Sequence, residues 1–230
     1  MQIKLNERLL AVAKQILPGK PAADIGTDHN YLPVYLVING ICPAVIATDK
    51  ARGPFDNASQ LVELLSLGKQ IQVRLGDGLE VLKPHEVATI CIAGMGGCAI
   101  CEILTNSPAV AKSAERLVLQ PQRHAPKLRK YLIDNGWQIV AEDIAFDNGF
   151  YYEIIVAEPG QMQLNEEQIQ FGSYLLAEPH SLLKPYLQLK LADLQLLGEQ
   201  LATKEGTEAA KRRLSLQQQI AQIEDALSNL

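Results

Sequence analysis

Carboxylates and glycines recur at the ends of four short apolar runs in this 230-residue chain. Asp24-Ile25-Gly26-Thr27-Asp28-His29 closes the first, and Asp49-Lys50 closes the second. Gly76-Asp77-Gly78 closes the third, and Ala93-Gly94-Met95-Gly96-Gly97 closes the fourth. Glycine lets a backbone come close to a ligand. Carboxylates repel a pyrophosphate and favour ammonium groups, hydroxyls and the surroundings of a sulfonium. Asp49 stands 25 residues after Asp24, near the spacing at which an acidic residue takes ribose hydroxyls in nucleotide-binding sheets. A helix N-cap or turn role competes with that reading. Asp77, bracketed by glycines, can accept from an exocyclic amine of adenine, although Asp and Gly are common in any turn. The full G-x-G-x-x-G is absent, so a dinucleotide is disfavoured and S-adenosylmethionine is the cofactor that the pattern suits.

These features need a frame that gathers them. Ala22–Gly26, Ala44–Asp49, Ile71–Leu75, Val87–Ala93 and Leu117–Gln120 have the length and composition of strands buried on both faces, hence of a parallel sheet. Helix-length stretches lie between them at Tyr31–Asn39, Pro54–Ser66, Gly96–Leu104 and Ala125–Asn135. Pro54 suits a first helical turn and Gly136 a C-terminal stop. Trp137–Phe146 and Tyr151–Ala157, joined by Asp147-Asn148-Gly149, read as a β-hairpin. The expectation is an α/β fold: five βα units in a doubly wound, mostly parallel, Rossmann-like sheet with an antiparallel edge hairpin.

Composition changes at Glu158-Pro159-Gly160, a turn signal. Residues 1–160 hold 13 of the 16 glycines, whereas residues 161–230 hold three, with 16 leucines and 11 glutamines. Two domains are therefore expected, 1–160 and 161–230, the second all-α. Leu216, Ile220, Ile223, Leu227 and Leu230 form a coiled-coil-like apolar seam, and Leu187, Leu194, Leu197 and Leu201 a weaker one. A turn at Glu205-Gly206-Thr207 between the seams predicts an antiparallel helical hairpin, with shorter helices around Glu166–Leu183. The seam closes on the chain itself or serves as a dimerisation arm; a monomer or weak dimer without an obligate protein partner is expected.

A net charge of -5 excludes a polybasic nucleic-acid coat, but only local charge matters at a binding face. No apolar run approaches the roughly 20 residues that span a bilayer, and Met1–Arg8 lacks an apolar leader core, so a cytoplasmic protein without membrane attachment is expected. Cys98 and Cys101 form one C-x-x-C, a redox pair or half a zinc site by spacing. No second ligand pair accompanies it, so packing is favoured and no metal is expected.

Four segments resemble the TrmK family, bacterial tRNA adenine(22)-N1 methyltransferases. They are Asp24-Ile-Gly-Thr-Asp-His-Asn-Tyr-Leu-Pro33, Arg74-Leu-Gly-Asp-Gly-Leu79, Ile92-Ala-Gly-Met-Gly-Gly97 and Leu117-Val-Leu-Gln-Pro121. The resemblance implies a class I methyltransferase domain followed by a helical, coiled-coil-like domain, S-adenosylmethionine as donor and tRNA as acceptor. It also supplies position 22. Its cofactor positions fall on Asp24, Gly26, Asp28, Asp49, Asp77, Gly78 and Ala93–Gly96; Thr27, Lys50 and Gly76 adjoin them. Asn30 stands where that family commonly has a small residue. A methyltransferase for another RNA, or a nucleotide-binding scaffold that uses its helical arm, are the alternatives.

N1 of neutral adenine carries a lone pair, so methyl transfer needs alignment, a water-poor pocket and support for a cationic product rather than a strong base. Asp28 is expected to favour that charge or take a proton from N6, and His29 to hydrogen-bond the base, relay the proton or orient a neighbour. Gln120 is expected to hold the target amine through its side-chain amide. Tyr31 is a candidate for stacking on a flipped base. Residues 112–130 carry Lys112, Arg116, Arg123, Lys127, Arg129 and Lys130 against Glu115 alone, a local +5. Arg123, His124, Lys127, Arg129 and Lys130 are the expected RNA contacts, with Lys211-Arg212-Arg213 a second basic cluster.

Overall fold

Uninterrupted apolar runs too short for helices leave no polar face, so they must be covered on both sides. In the computed structural model, which describes residues 3–27, 30–178, 180–202 and 206–230, these runs form a parallel sheet. Its strands are β1 (Ala22–Ile25), β2 (Val45–Asp49), β3 (Ile71–Leu75), β4 (Thr89–Met95) and β5 (Arg116–Pro121). Every residue of β1 is buried. Two antiparallel strands, β6 (Trp137–Asp147) and β7 (Phe150–Pro159), complete a seven-stranded sheet in the order β3-β2-β1-β4-β5-β7-β6. β7 inserts between β5 and β6, with Leu117, Val118 and Leu119 opposite Ala157, Val156 and Ile155. The strand order reverses between β1 and β4, where a doubly wound sheet opens a crevice at its carboxyl edge.

Helices α2 (Tyr31–Ile38), α3 (Arg52–Leu64), α4 (Gly97–Asn106) and α6 (Ala125–Asp134) fall close to the expected stretches. Two further helices carry no strong sequence signal. α1 (Glu7–Lys14) is capped by Asn6, whose side chain accepts from the Leu9 N–H at 2.9 Å, and it buries Ala11, Val12 and Ala13. Those residues share a core with Val118, Ala145, Ile154 and Val156 of the sheet. α5 (Pro108–Ser113) is a short turn of helix before β5.

The expected fifth βα unit is absent: no helix joins β3 to β4. Arg74 organises that connection instead. Its guanidinium donates to the Val81 carbonyl at 2.7 Å and to both carboxylate oxygens of Glu86, at 2.9 and 2.6 Å. The Glu86 carboxyl is pulled down to about 2 by its hydrogen bond to Arg74. The Lys83 N–H also donates to Glu86. A polar clamp replaces a helix here and fixes the loop that presents Asp77.

The chain divides into two compact units, Met1–Leu164 and Asn165–Leu230. The division lies four residues beyond the Pro-Gly turn because Met162 and Leu164 still pack on the first core. Asn165 then starts a helix with a capping box: it accepts from the Gln168 N–H at 2.8 Å, and its own N–H donates to Gln168 at 3.0 Å. The second unit contains α7 (Glu166–Phe171), α8 (Ser173–Ala177), α9 (Leu183–Ala202) and α10 (Thr207–Ser228). Arg213 donates to the Leu201 carbonyl at 3.1 Å, and a Cβ on Gly198 would meet Leu216, so α9 and α10 run antiparallel. Leu216 and Ile223 of the expected seam are buried. Among the described residues no helix is long and apolar enough to cross a membrane.

One cation belongs to the interior. Arg129 of α6 is fully buried and pairs with Glu142 of β6 at 2.6 Å and Glu153 of β7 at 2.5 Å. Burial alone would lower its pKa, but the two carboxylates outweigh that and raise it. Arg129→Ala therefore leaves two buried carboxylates without this cation and should cost about 3–5 kcal/mol. Urea unfolding measures this; a loss under about 1 kcal/mol would show that water already screens the triad.

Candidate functional site

A crevice of about 330 Å³ opens along the carboxyl edge of β1 to β4. Each of the four strand ends contributes some of the residues singled out in the sequence. Gly26 comes from β1, Asp49 and Lys50 from β2, Gly76, Asp77 and Gly78 from the loop after β3, and Ala93, Gly94 and Met95 from β4. Gly26 has φ +75 and Gly94 φ +81, conformations that L side chains rarely adopt. At Gly94 the β4–β5 register slips, so that Ala93 pairs with Gln120 and Met95 with Pro121. This bulge frees the Gly94 N–H, which donates to Gln120 Oε1 at 3.0 Å.

Ile25, Thr48 and one face of α4 complete the wall: Ala99, Glu102, Ile103 and Asn106. Sequence reasoning missed the α4 residues, although their i, i+3, i+4, i+7 spacing after a glycine-rich strand end was a usable signal. Asp49 fits both readings made of it, since it lines the crevice while its Oδ1 accepts from the Ala51 N–H at 2.8 Å. Lys50 and Asp77 approach to 3.8 Å across the mouth, but both are well exposed and such a pair contributes little.

Three expected cofactor residues stand behind this wall. Gly96 is the N-cap of α4. Thr27 is buried and its hydroxyl donates to Asn30 Oδ1 at 3.3 Å. Asp24 is buried below the crevice, and burial raises its carboxyl to about 6 despite hydrogen bonds from Thr27 and Cys91 and the nearby charge of Arg8. Asp28 and His29 lie outside the described residues.

Gln120 is buried at the end of β5. Its Oε1 accepts from Arg8 Nη1 at 2.8 Å as well as from Gly94, so both lone pairs are in use. Two donors on one atom also fix which way the amide faces. The expected role of receiving a target amine is therefore not available to that oxygen in this arrangement. Nε2 is buried without a hydrogen-bond partner among the described residues.

The basic stretch is smaller than its count. Arg129 is inside the protein, so its expected RNA contact is withdrawn: Glu142 and Glu153 hold it out of reach of any phosphate. Arg116 pairs with Glu158 at 2.6 Å, and Lys130 with Asp134 at 3.0 Å on the same helix. Arg123 and Lys127 are exposed and have no carboxylate partner among the described residues. His124 begins α6 with its Nδ1 3.6 Å from Cys98 Sγ. Tyr31 opens α2 and is 48% exposed, as a stacking residue must be. All four cysteines are free thiols, with Cys42 and Cys91 buried.

A seven-stranded sheet with β7 inserted antiparallel, and acidic groups meeting glycines at its switch point, defines a Rossmann-like class I methyltransferase fold. The family described as tRNA (adenine(22)-N(1))-methyltransferase, TrmK, matches residues 22–225. The Bacillus subtilis enzyme of that description is 38% identical over 220 residues, 93% of this chain and 92% of the relative. A Streptococcus pneumoniae relative solved with S-adenosyl-L-methionine superposes with TM-score 0.89 at 36% identity, covering 97% of this chain and 100% of the other. Mycoplasma capricolum TrmK, solved with S-adenosyl-homocysteine, gives 0.85 at 29% identity, covering 98% of each chain. The chain belongs to the TrmK family.

The raised Asp24 carboxyl has a consequence for stability. The folded protein holds this proton more tightly than the unfolded chain does, so the favourable contribution is full below pH 4 and is lost as pH rises through about 6. At neutral pH the buried charge costs about 1–3 kcal/mol. Asp24→Asn should thus stabilise the protein by that order at pH 7.5, without added cofactor, and by almost nothing at pH 4. Chemical denaturation at the two pH values decides it; an equal effect at both would remove the burial argument.

Proposed function

We propose that this protein transfers a methyl group from S-adenosylmethionine to N1 of adenine 22 in tRNA, in the cytoplasm and without an obligate protein partner. The convergence of Gly26, Asp49, Asp77 and Gly94 on one crevice, in a chain of this family, carries the reading. The donor set suits the cofactor. In this reading Asp49 takes the ribose hydroxyls and Asp77 the adenine amine, and the two glycines admit a close approach to the main chain. Relatives solved with S-adenosyl-L-methionine and S-adenosyl-homocysteine support the same choice.

S-adenosylmethionine supplies an electrophilic methyl carbon on a positively charged sulfur. The protein's task is to hold the N1 lone pair in line with it and to exclude water. Transfer leaves a positive charge on the base, so a nearby carboxylate lowers the barrier. Asp28 follows directly on Thr27 and is our candidate for that carboxylate, with His29 beside it to hydrogen-bond the base. Tyr31 is exposed for stacking on an unpaired base, Arg123 and Lys127 supply the RNA-facing positive charge, and His124 beside them is an exposed hydrogen-bonding group.

Incubation with a tRNA transcript and labelled cofactor, followed by digestion and mass spectrometry, should yield one 1-methyladenosine per tRNA. An A22→G transcript should yield none. Absence of methylation, or its appearance at another position, would refute the assignment. Asp28→Ala should lower kcat, measured at saturating cofactor, by about 10²–10⁴-fold. Unchanged turnover would remove Asp28 from catalysis.

A further inference from the structure

Arg8 belongs to none of the sequence motifs, yet its guanidinium reaches the carboxyl edge of the sheet. Nη1 donates to Gln120 Oε1 of β5 at 2.8 Å. Cζ stands 5.6 Å from the centroid of the Tyr152 ring on β7. A Cβ built on Gly94, in the β4 bulge, would lie 3.4 Å from Nη1. The charge also acts on Asp24 at the end of β1. One cation from α1 thus touches or faces four strand ends at the carboxyl edge of the sheet, of which Gly94 also lines the crevice. Its base is firm, because α1 is capped by Asn6 and buries the residues that follow.

A guanidinium carries five N–H donors in one plane. The contact with the Tyr152 ring is a cation–π contact and engages no acceptor atom. Gln120 takes one of them. Among the described residues no carboxylate forms an ion pair with the rest, although Arg129, Arg74 and Arg116 are all matched by glutamates. Arg8 is only half-exposed, so water replaces a counter-ion incompletely. A planar fork fixed in direction and open along one edge is the geometry that takes a phosphate with two parallel hydrogen bonds.

We propose that Arg8 is the phosphate anchor for the nucleotide entering the crevice, gripping its backbone from α1 while Gln120 and Tyr152 fix the direction of the grip. This rests on the assignment of tRNA as substrate. The contact positions the base and reads no sequence.

Filter retention of tRNA with S-adenosylhomocysteine present, across a salt series, tests this in Arg8→Gln, Arg8→Lys and wild type. Arg8→Gln should weaken tRNA retention tenfold or more and flatten the slope of log affinity against log salt by about one unit. Its affinity for S-adenosylhomocysteine, by calorimetry, should stay within twofold. Arg8→Lys keeps the charge and should restore the slope but only part of the affinity, since it lacks the fork. Unchanged tRNA retention and slope in Arg8→Gln would overturn the proposal. So would a parallel loss of S-adenosylhomocysteine binding and melting temperature, which marks a structural clamp. Because retention is read without turnover, wild type that binds but does not methylate refutes the proposed function and leaves the Arg8 result standing. Wild type that does not retain tRNA refutes both.

Discussion

A strand covered on both faces has no place for polar side chains along its length, so they accumulate where it ends. That constraint organises the whole first unit. β1 is buried throughout, β2 is nearly so, and β4 is buried up to Ile92. Their chemistry is pushed to Asp24, Asp49 and the glycine-rich turn at Gly94. The reversal of strand order between β1 and β4 then leaves these ends uncovered by any crossover, and the crevice is the result. Asp24 shows what the constraint costs. It sits one layer too deep to be hydrated, and its carboxyl rises accordingly.

Much of the site was legible because it is local. Strand ends, tight turns and glycines declare themselves within five or six residues, and the crevice wall from Gly26 to Met95 follows from them. The β6–β7 hairpin was legible for the same reason, through Asp147-Asn148-Gly149. What stayed hidden depends on partners far away in the chain. Arg129 looked like one more cation on a basic helix, but Glu142 and Glu153 are strand neighbours placed by the hairpin, and only folding brings them round it. The connection between β3 and β4 offered no helix-length stretch, although five βα units were expected. It is held instead by a single arginine whose acceptors lie seven and twelve residues on. Arg8 had no motif at all, and its surroundings come from distant residues, among them Gln120, 112 residues later, and Tyr152.

The same reasoning separates two kinds of positive charge. Cations that neutralise glutamates contribute to the fold and little to attraction, so a count along the sequence overstates the field. Of the six in residues 112–130, Arg116, Arg129 and Lys130 are spoken for. Lys112, Arg123 and Lys127 remain exposed, the last two just beyond β5 near the carboxyl edge. A protein of net charge -5 can therefore still present exposed cations without carboxylate partners at the edge of its sheet that also carries the crevice carboxylates.

Alkylation at N1 makes the base a cation, and a guanidinium close by would oppose that step by simple repulsion. The objection fails if the guanidinium has already met a phosphate, since the pair is then near neutral and the base sees only a dipole. Arg8 without a counter-ion would thus be a liability in the reaction, and Arg8 with a phosphate is not. Gln120 contributes to the same end. By committing its oxygen to Arg8 and Gly94 it turns the guanidinium in one direction, and as a neutral amide it adds no charge near the reacting nitrogen. A carboxylate in its place would satisfy Arg8 outright, remove its reason to hold RNA, and add a further buried charge. An amide at the end of β5 is what allows a nearby arginine to be fixed without being neutralised.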